Sequence, residues 1–127
     1  MAKKTKELVF STPNRVGVLS KVAGAMKKAH VNILHAWACG SGSRGEFGLV
    51  TSSNARAAKA LKRLGYRAKE SPLLIVNLPN TIGALEKKAA KLAKAGISVK
   101  CISATSAGKR VALILNTSNN AKAARLL

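Results

Sequence analysis

Few side chains in this chain of 127 residues could do covalent or acid–base chemistry. Glu7, Glu46, Glu70 and Glu86 are the only carboxylates, and aspartate is absent. Paired carboxylates for glycoside hydrolysis, or an oxygen cage for Mg²⁺, have almost no raw material. His30 and His35 are too few for a metal site, and no second ligand stands at a suitable spacing from Cys39 or Cys101. Neither cysteine has the neighbouring histidine and acid that would activate a nucleophile. The expectation is a chain that binds rather than catalyses, with no metal and no cofactor.

Binding chemistry is concentrated in a stretch that occurs twice. Pro13-Asn14-Arg15-Val16-Gly17-Val18-Leu19 returns as Pro79-Asn80-Thr81-Ile82-Gly83-Ala84-Leu85, a constant offset from Pro13 to Pro79. The same offset places Asn54-Ala55-Arg56-Ala57-Ala58 on Asn120-Ala121-Lys122-Ala123-Ala124. A fixed period with this much agreement is one supersecondary unit written twice. In each copy an apolar run, Leu8-Val9-Phe10 or Leu73-Leu74-Ile75-Val76, leads into Pro-Asn, after which apolar residues take helical spacing. The pair reads as a strand-to-helix turn with Asn14 or Asn80 as N-cap.

Free amides at a helix start, with the positive end of the dipole behind them, attract an anion. Gly17 and Gly83 would let a carboxylate approach the backbone, and Arg15 adds a cation in the first copy. A second reading fits the pattern equally well. The glycines would then only let the helix pack tightly on its sheet, with Arg15 solvated.

The elements that must position these turns follow in order. Strands are expected over 6–11, 31–39, 46–51 and 66–71, with helices over 15–29 and 55–64. A flexible loop over 40–45 should join the middle strands. Val16, Leu19, Ala23 and Met26 form the apolar face of the first helix, matched by Ile82, Leu85, Ala89 and Leu92 in the second copy. Val31, Ile33, His35, Trp37 and Cys39 share one strand face. In the second copy, strands fall at 73–78, 97–105 and 111–116, with helices over 81–95 and from 119 onward. Pro72 separates the strand over 66–71 from the one at 73–78. Nothing aligns with 62–71, so the second copy lacks its last strand. The apolar run at 73–78 is expected to show an open edge, closed by a partner copy or by 66–71 crossing over.

The charge is extreme. Lys and Arg number 23 against 4 acids, a formal net charge of +19, which would draw polyanions to the surface at low salt. No apolar run approaches the ~20 residues of a membrane helix, and the basic start has no apolar stretch behind it to make a signal peptide. A cytoplasmic location is expected, with both cysteines as buried free thiols.

Strand-helix-strand-strand-helix-strand is the ferredoxin-like unit. The fold class is α+β, with two such βαββαβ repeats over 1–71 and 72–127. The doubled Pro-Asn-x-x-Gly-x-Leu turn, and the entries His30-Val31-Asn32-Ile33 and Gly96-Ile97-Ser98-Val99, give the chain its resemblance to a tandem pair of ACT domains. In particular it resembles compact proteins in which two such domains stand alone. The resemblance implies a non-catalytic regulatory protein that senses a small molecule, most often an amino acid, and pairs as a homodimer. By match, the ligand would touch Asn14, Arg15, Val16, Gly17, Val18 and Leu19 in one copy. Asn80, Thr81, Ile82, Gly83, Ala84 and Leu85 would serve in the other, joined by Asn32 and Ser98. The alternative is a basic ferredoxin-like nucleic-acid-binding module. RNA-binding modules of this topology stack bases on strand aromatics. Only Phe10, Trp37, Phe47 and Tyr66 are available here, so weak and non-specific nucleic-acid binding is the most the sequence supports.

Overall fold

The computed structural model describes residues 2–127. The first half of the chain forms β1 (Ala2–Pro13), α1 (Val18–Lys28), β2 (Ile33–Ser41), β3 (Arg44–Thr51) and α2 (Asn54–Arg63). The second forms β4 (Lys69–Pro79), α3 (Ala84–Lys94), β5 (Val99–Ala107), β6 (Arg110–Thr117) and α4 (Asn120–Leu126). This is an α+β arrangement of two ferredoxin-like repeats. The chain divides into two compact units. One is Lys6–Ser71; the other is Pro72–Leu127 together with residues 2–5.

In the first unit the strands lie in the order β2-β3-β1, with the start of β4 beside β1. Antiparallel registers set Phe10 opposite Phe47 and Trp37 opposite Gly48. Alternate side chains of these strands, Leu8, Phe10, Phe47 and Leu49, meet Val22 and Met26 of α1 and Ala57 and Leu61 of α2. Phe10 stacks on Phe47 at 5.1 Å and on Tyr66 at 6.0 Å. These rings are the bulkiest apolar groups in the unit's core and fix where the helices sit on the sheet.

In the second unit the order is β5-β6-β4, with the start of β1 beside β4. Leu74, Val76, Leu78, Leu113 and Leu115 of the sheet pack with Leu92 and Ala123 of the helices. Ala2 packs against the same cluster. The edge expected to be open is therefore covered by residues 2–5 of the same chain. Neither a partner copy nor residues 66–71 are needed there. The sequence conceals this because β1 is twice the expected length. Its basic first residues look like a tail but run on as strand.

Other expectations are corrected. Residues 66–71 and 73–78 do not form separate strands, because β4 runs unbroken from Lys69 through the exposed Pro72. Proline's fixed φ lies within the extended region, so a strand there loses only one donor. The expected apolar face of α1 is out of phase. The helix starts at Val18, and Val22 and Met26 are buried while Val16, Leu19 and Ala23 are exposed. Likewise α3 buries Leu92 and leaves Ile82, Leu85 and Ala89 exposed.

The expected face of β2 is split by a bulge between Ile33 and His35. Val31 and Ile33 join the core, whereas His35 and Trp37 turn to the face without helices. The same irregularity recurs between Val99 and Cys101. Cys39 and Cys101 are free but exposed, not buried.

Candidate functional site

Both Pro-Asn turns are tied to the hairpin beside them. The Asn14 amide donates to the Ser43 carbonyl at 2.9 Å, and its Nδ2 donates to the Gly42 carbonyl at 3.0 Å. Asn80 repeats this, from N to the Lys109 carbonyl at 2.9 Å and from Nδ2 to the Gly108 carbonyl at 3.0 Å. The side-chain amide is needed because both partners are acceptors, which a carboxylate would repel. Gly40 makes room for it, since a Cβ there would lie 2.7 Å from Asn14 Oδ1.

The asparagines are consequently not the N-caps. Gly17 and Gly83 hold that position in the left-handed region, at φ 90 and 84, and no side chain caps either helix. The other two helices differ. Ser53 caps α2 by accepting from the Arg56 amide, and Asn119 caps α4 by accepting from the Lys122 amide. Absence of a side-chain cap is thus particular to the two repeated turns: the Val18 and Ala84 amides donate back to the Arg15 and Thr81 carbonyls at 3.4 and 3.2 Å, and no side chain meets the amides that follow. The glycines are there for the backbone. A Cβ at Gly17 or Gly83 meets no atom within 4 Å, so packing does not demand glycine, whereas the positive φ does.

Arg15, Val16 and Leu19 are exposed around the first turn, and Thr81, Ile82 and Leu85 around the second. Val16 and Ile82 are as bare as side chains can be, at 106% and 108% relative exposure. Val18 and Ala84 open their helices and lean on the two cores. Beside the first turn lies a depression of ≈ 160 Å³, formed by Asn14, Arg15, Val18 and Leu19 with Cys39 and Gly40 opposite. That is smaller than the roughly 300 Å³ at which small-molecule pockets begin.

Asn32 and Ser98 are not brought to these turns within a unit. Each stands before the first residue of β2 or β5, while the turn lies beside the hairpin at that strand's far end. Their amides donate to Ser52 Oγ at 2.9 Å and Ser118 Oγ at 3.0 Å.

Sequence reasoning missed one polar cluster. On the helix-free face of the first unit, Trp37 Nε1 donates to Glu7 Oε2 at 3.0 Å. Gly48 lies beneath, where a Cβ would strike both groups. Glu7 is buried, and Nε2 of neighbouring His35 finds no protein partner. Burial holds His35 below the ordinary histidine range, outweighing the nearby Glu7 carboxylate that pulls the other way. An isolated glycine inside a strand was the available signal. The bulge that turns His35 and Trp37 to this face leaves no trace in the sequence. Among the described residues no three His, Cys, Asp or Glu side chains gather as a metal site, and no helix is long and apolar enough to cross a membrane.

The family model for the ACT domain pair matches residues 4–127. The chain belongs to this family. ACT domains are regulatory units that bind small molecules, which is the role the family indicates for this ACT domain pair. Its fold is that of protein BT0572 from Bacteroides thetaiotaomicron, with a TM-score of 0.92 at 22% identity over 99% of this chain and 88% of that one. It also resembles the regulatory subunit of aspartate kinase from Thermus thermophilus, solved in a ligand-free form. There the TM-score is 0.71 at 15% identity, over 98% and 93% of the two chains. The corresponding subunit from Thermus flavus gives 0.69 at 16%, over 98% and 90%. No curated protein sequence matches it.

Proposed function

We propose that this ACT domain pair is a non-catalytic cytoplasmic sensor that binds an amino acid, or a similar small carboxylate, at residues 14–19 and 80–85. The observation that carries the reading is the pair of uncapped helix starts in a chain whose other two helices are capped. A carboxylate accepting from those amides takes the place of the missing cap, favoured by the helix dipole. In the first copy Arg15 adds a charge-assisted contact, which Thr81 replaces with a hydroxyl in the second. The ligand's side chain would rest on the exposed Val16 and Leu19, or on Ile82 and Leu85.

One unit supplies only part of a pocket, and a homodimer supplies the rest. The second copy would close the ≈ 160 Å³ depression and cover Val16 or Ile82. Asn32 and Ser98 reach the ligand only where another copy's turn meets their end of the sheet. Ligand occupancy then stabilises the assembly, and regulation follows from mass action.

Calorimetric titration of the twenty amino acids at low salt tests the reading. At least one is expected to bind, and Arg15→Ala should weaken it. Replacing both exposed leucines, Leu19→Glu with Leu85→Glu, places a carboxylate beside each turn and should abolish binding. If none of the twenty binds, or if that double variant binds as tightly as wild type, the turns are not the site.

A further inference from the structure

The first unit has a second concave surface, distant in character from the turns. A groove of ≈ 430 Å³ runs between α1 and α2. Its floor is made of Gly24, Ala25, Ala29 and Ala60, all buried or half-buried. Lys21 and Lys28 rise on one rim and Arg63 on the other, all exposed. Arg56 and Lys59 continue the cationic line at one end, beside His30. Neither α1 nor α2 carries a carboxylate anywhere along its length. Nothing fills the groove from within, since a Cβ on Gly24 would meet no atom within 4 Å.

The groove is not a by-product of the repeat. Lys91 stands in α3 where α1 has Ala25, so the equivalent floor position in the second copy carries a charge. An apolar floor between cationic rims matches an amphipathic helix whose apolar stripe faces down and whose flanks are acidic. Small residues let two backbones approach to the usual 8–10 Å of packed helices, and carboxylates on the flanks would reach the lysines and arginine on either side. A nucleic-acid duplex would meet the rims but has nothing apolar to lay on the floor, and no lining side chain is aromatic for stacking a base. The same groove of a second copy does not fit, since Lys21, Lys28 and Arg63 of each would face those of the other.

We infer that the α1–α2 groove docks an acidic amphipathic helix of a partner protein. This is a binding mode in which apolar anchors at helical spacing enter a groove and the rim charges set the orientation. The inference stands independently of the ligand reading, because no residue of the groove belongs to either Pro-Asn turn.

The test uses the full chain and a labelled synthetic peptide of about 18 residues, long enough to hold a helix, with leucine at helical spacing and glutamate on its flanks. A scrambled peptide of equal composition and a short DNA duplex are the comparisons, all at physiological salt by fluorescence anisotropy. The patterned peptide should bind about tenfold more tightly than the scrambled one, the scale of an anchored contact. Gly24→Leu, whose Cβ would meet no atom within 4 Å, puts an apolar side chain into the groove and should remove that advantage, with the melting temperature unchanged or raised. Lys21→Glu with Lys28→Glu should weaken the patterned peptide further. Equal binding of both peptides, or patterned binding that survives Gly24→Leu, overturns the inference. So does duplex binding that is lost with Gly24→Leu while the patterned peptide fails to bind, since the groove would then serve nucleic acid.

Discussion

His35 is the residue whose surroundings most depart from what its type prefers. Its ring lies half-buried on the helix-free face, with Nε2 unpartnered and the charged form disfavoured by burial. A histidine with a lowered folded-state pKa binds fewer protons folded than unfolded, so stability rises with pH through the window below its ordinary value of 6.5. The stabilising contribution is full above 6.5 and lost as pH falls below it. Denaturant unfolding at several pH values, followed by the fluorescence of the single tryptophan, should show stability falling from about pH 7 towards pH 5. His35→Gln should flatten that slope, because glutamine does not titrate. An unchanged slope would show that His35 is not its source. Asn14 and Asn80 teach a related lesson. Their side chains suit a helix cap, but three residues separate each from the start of its helix, and each side-chain amide donates instead to one hairpin carbonyl, that of Gly42 or Gly108.

At the scale of elements, residues 2–5 matter most. They extend β1 beyond its own unit and line the edge of β4, an apolar strand that would otherwise template pairing with another chain. Removing residues 1–5 should cost roughly 2–4 kcal/mol, from several strand hydrogen bonds at about 1 kcal/mol each and the loss of Ala2 packing. The truncated chain should also associate at micromolar concentration. Urea melts and light scattering would check this, and an unchanged, monodisperse chain would count against the assignment.

The sequence made the repeat legible, because Pro-Asn and glycine recur at one spacing and apolar runs mark the strands. It did not reveal which helix face is buried, since the helices start later than the periodicity suggests and their first apolar residues stay outside. The bulge at Ile33 and His35 was invisible for a simpler reason. Alternation shows two faces but not where a strand slips from one to the other.

At the scale of the molecule, the net charge of +19 guarantees attraction to polyanions without conferring choice among them. Binding to unrelated oligonucleotides should be similar in strength and should fall steeply, by about three to five powers of ten between 50 and 200 mM salt if six or more phosphates are engaged. Selective binding that persists at high salt would instead favour a dedicated nucleic-acid role. The central claim is narrower and concerns the two turns. Its most direct measurement is a map of backbone amide shifts by heteronuclear NMR as each of the twenty amino acids is added. The account predicts that at least one shifts the amides of residues 15–19, 81–85 or both, where the uncapped helix starts lie, with little change in the capped starts of α2 and α4. Shifts confined to other surfaces, or none with any amino acid, would contradict it.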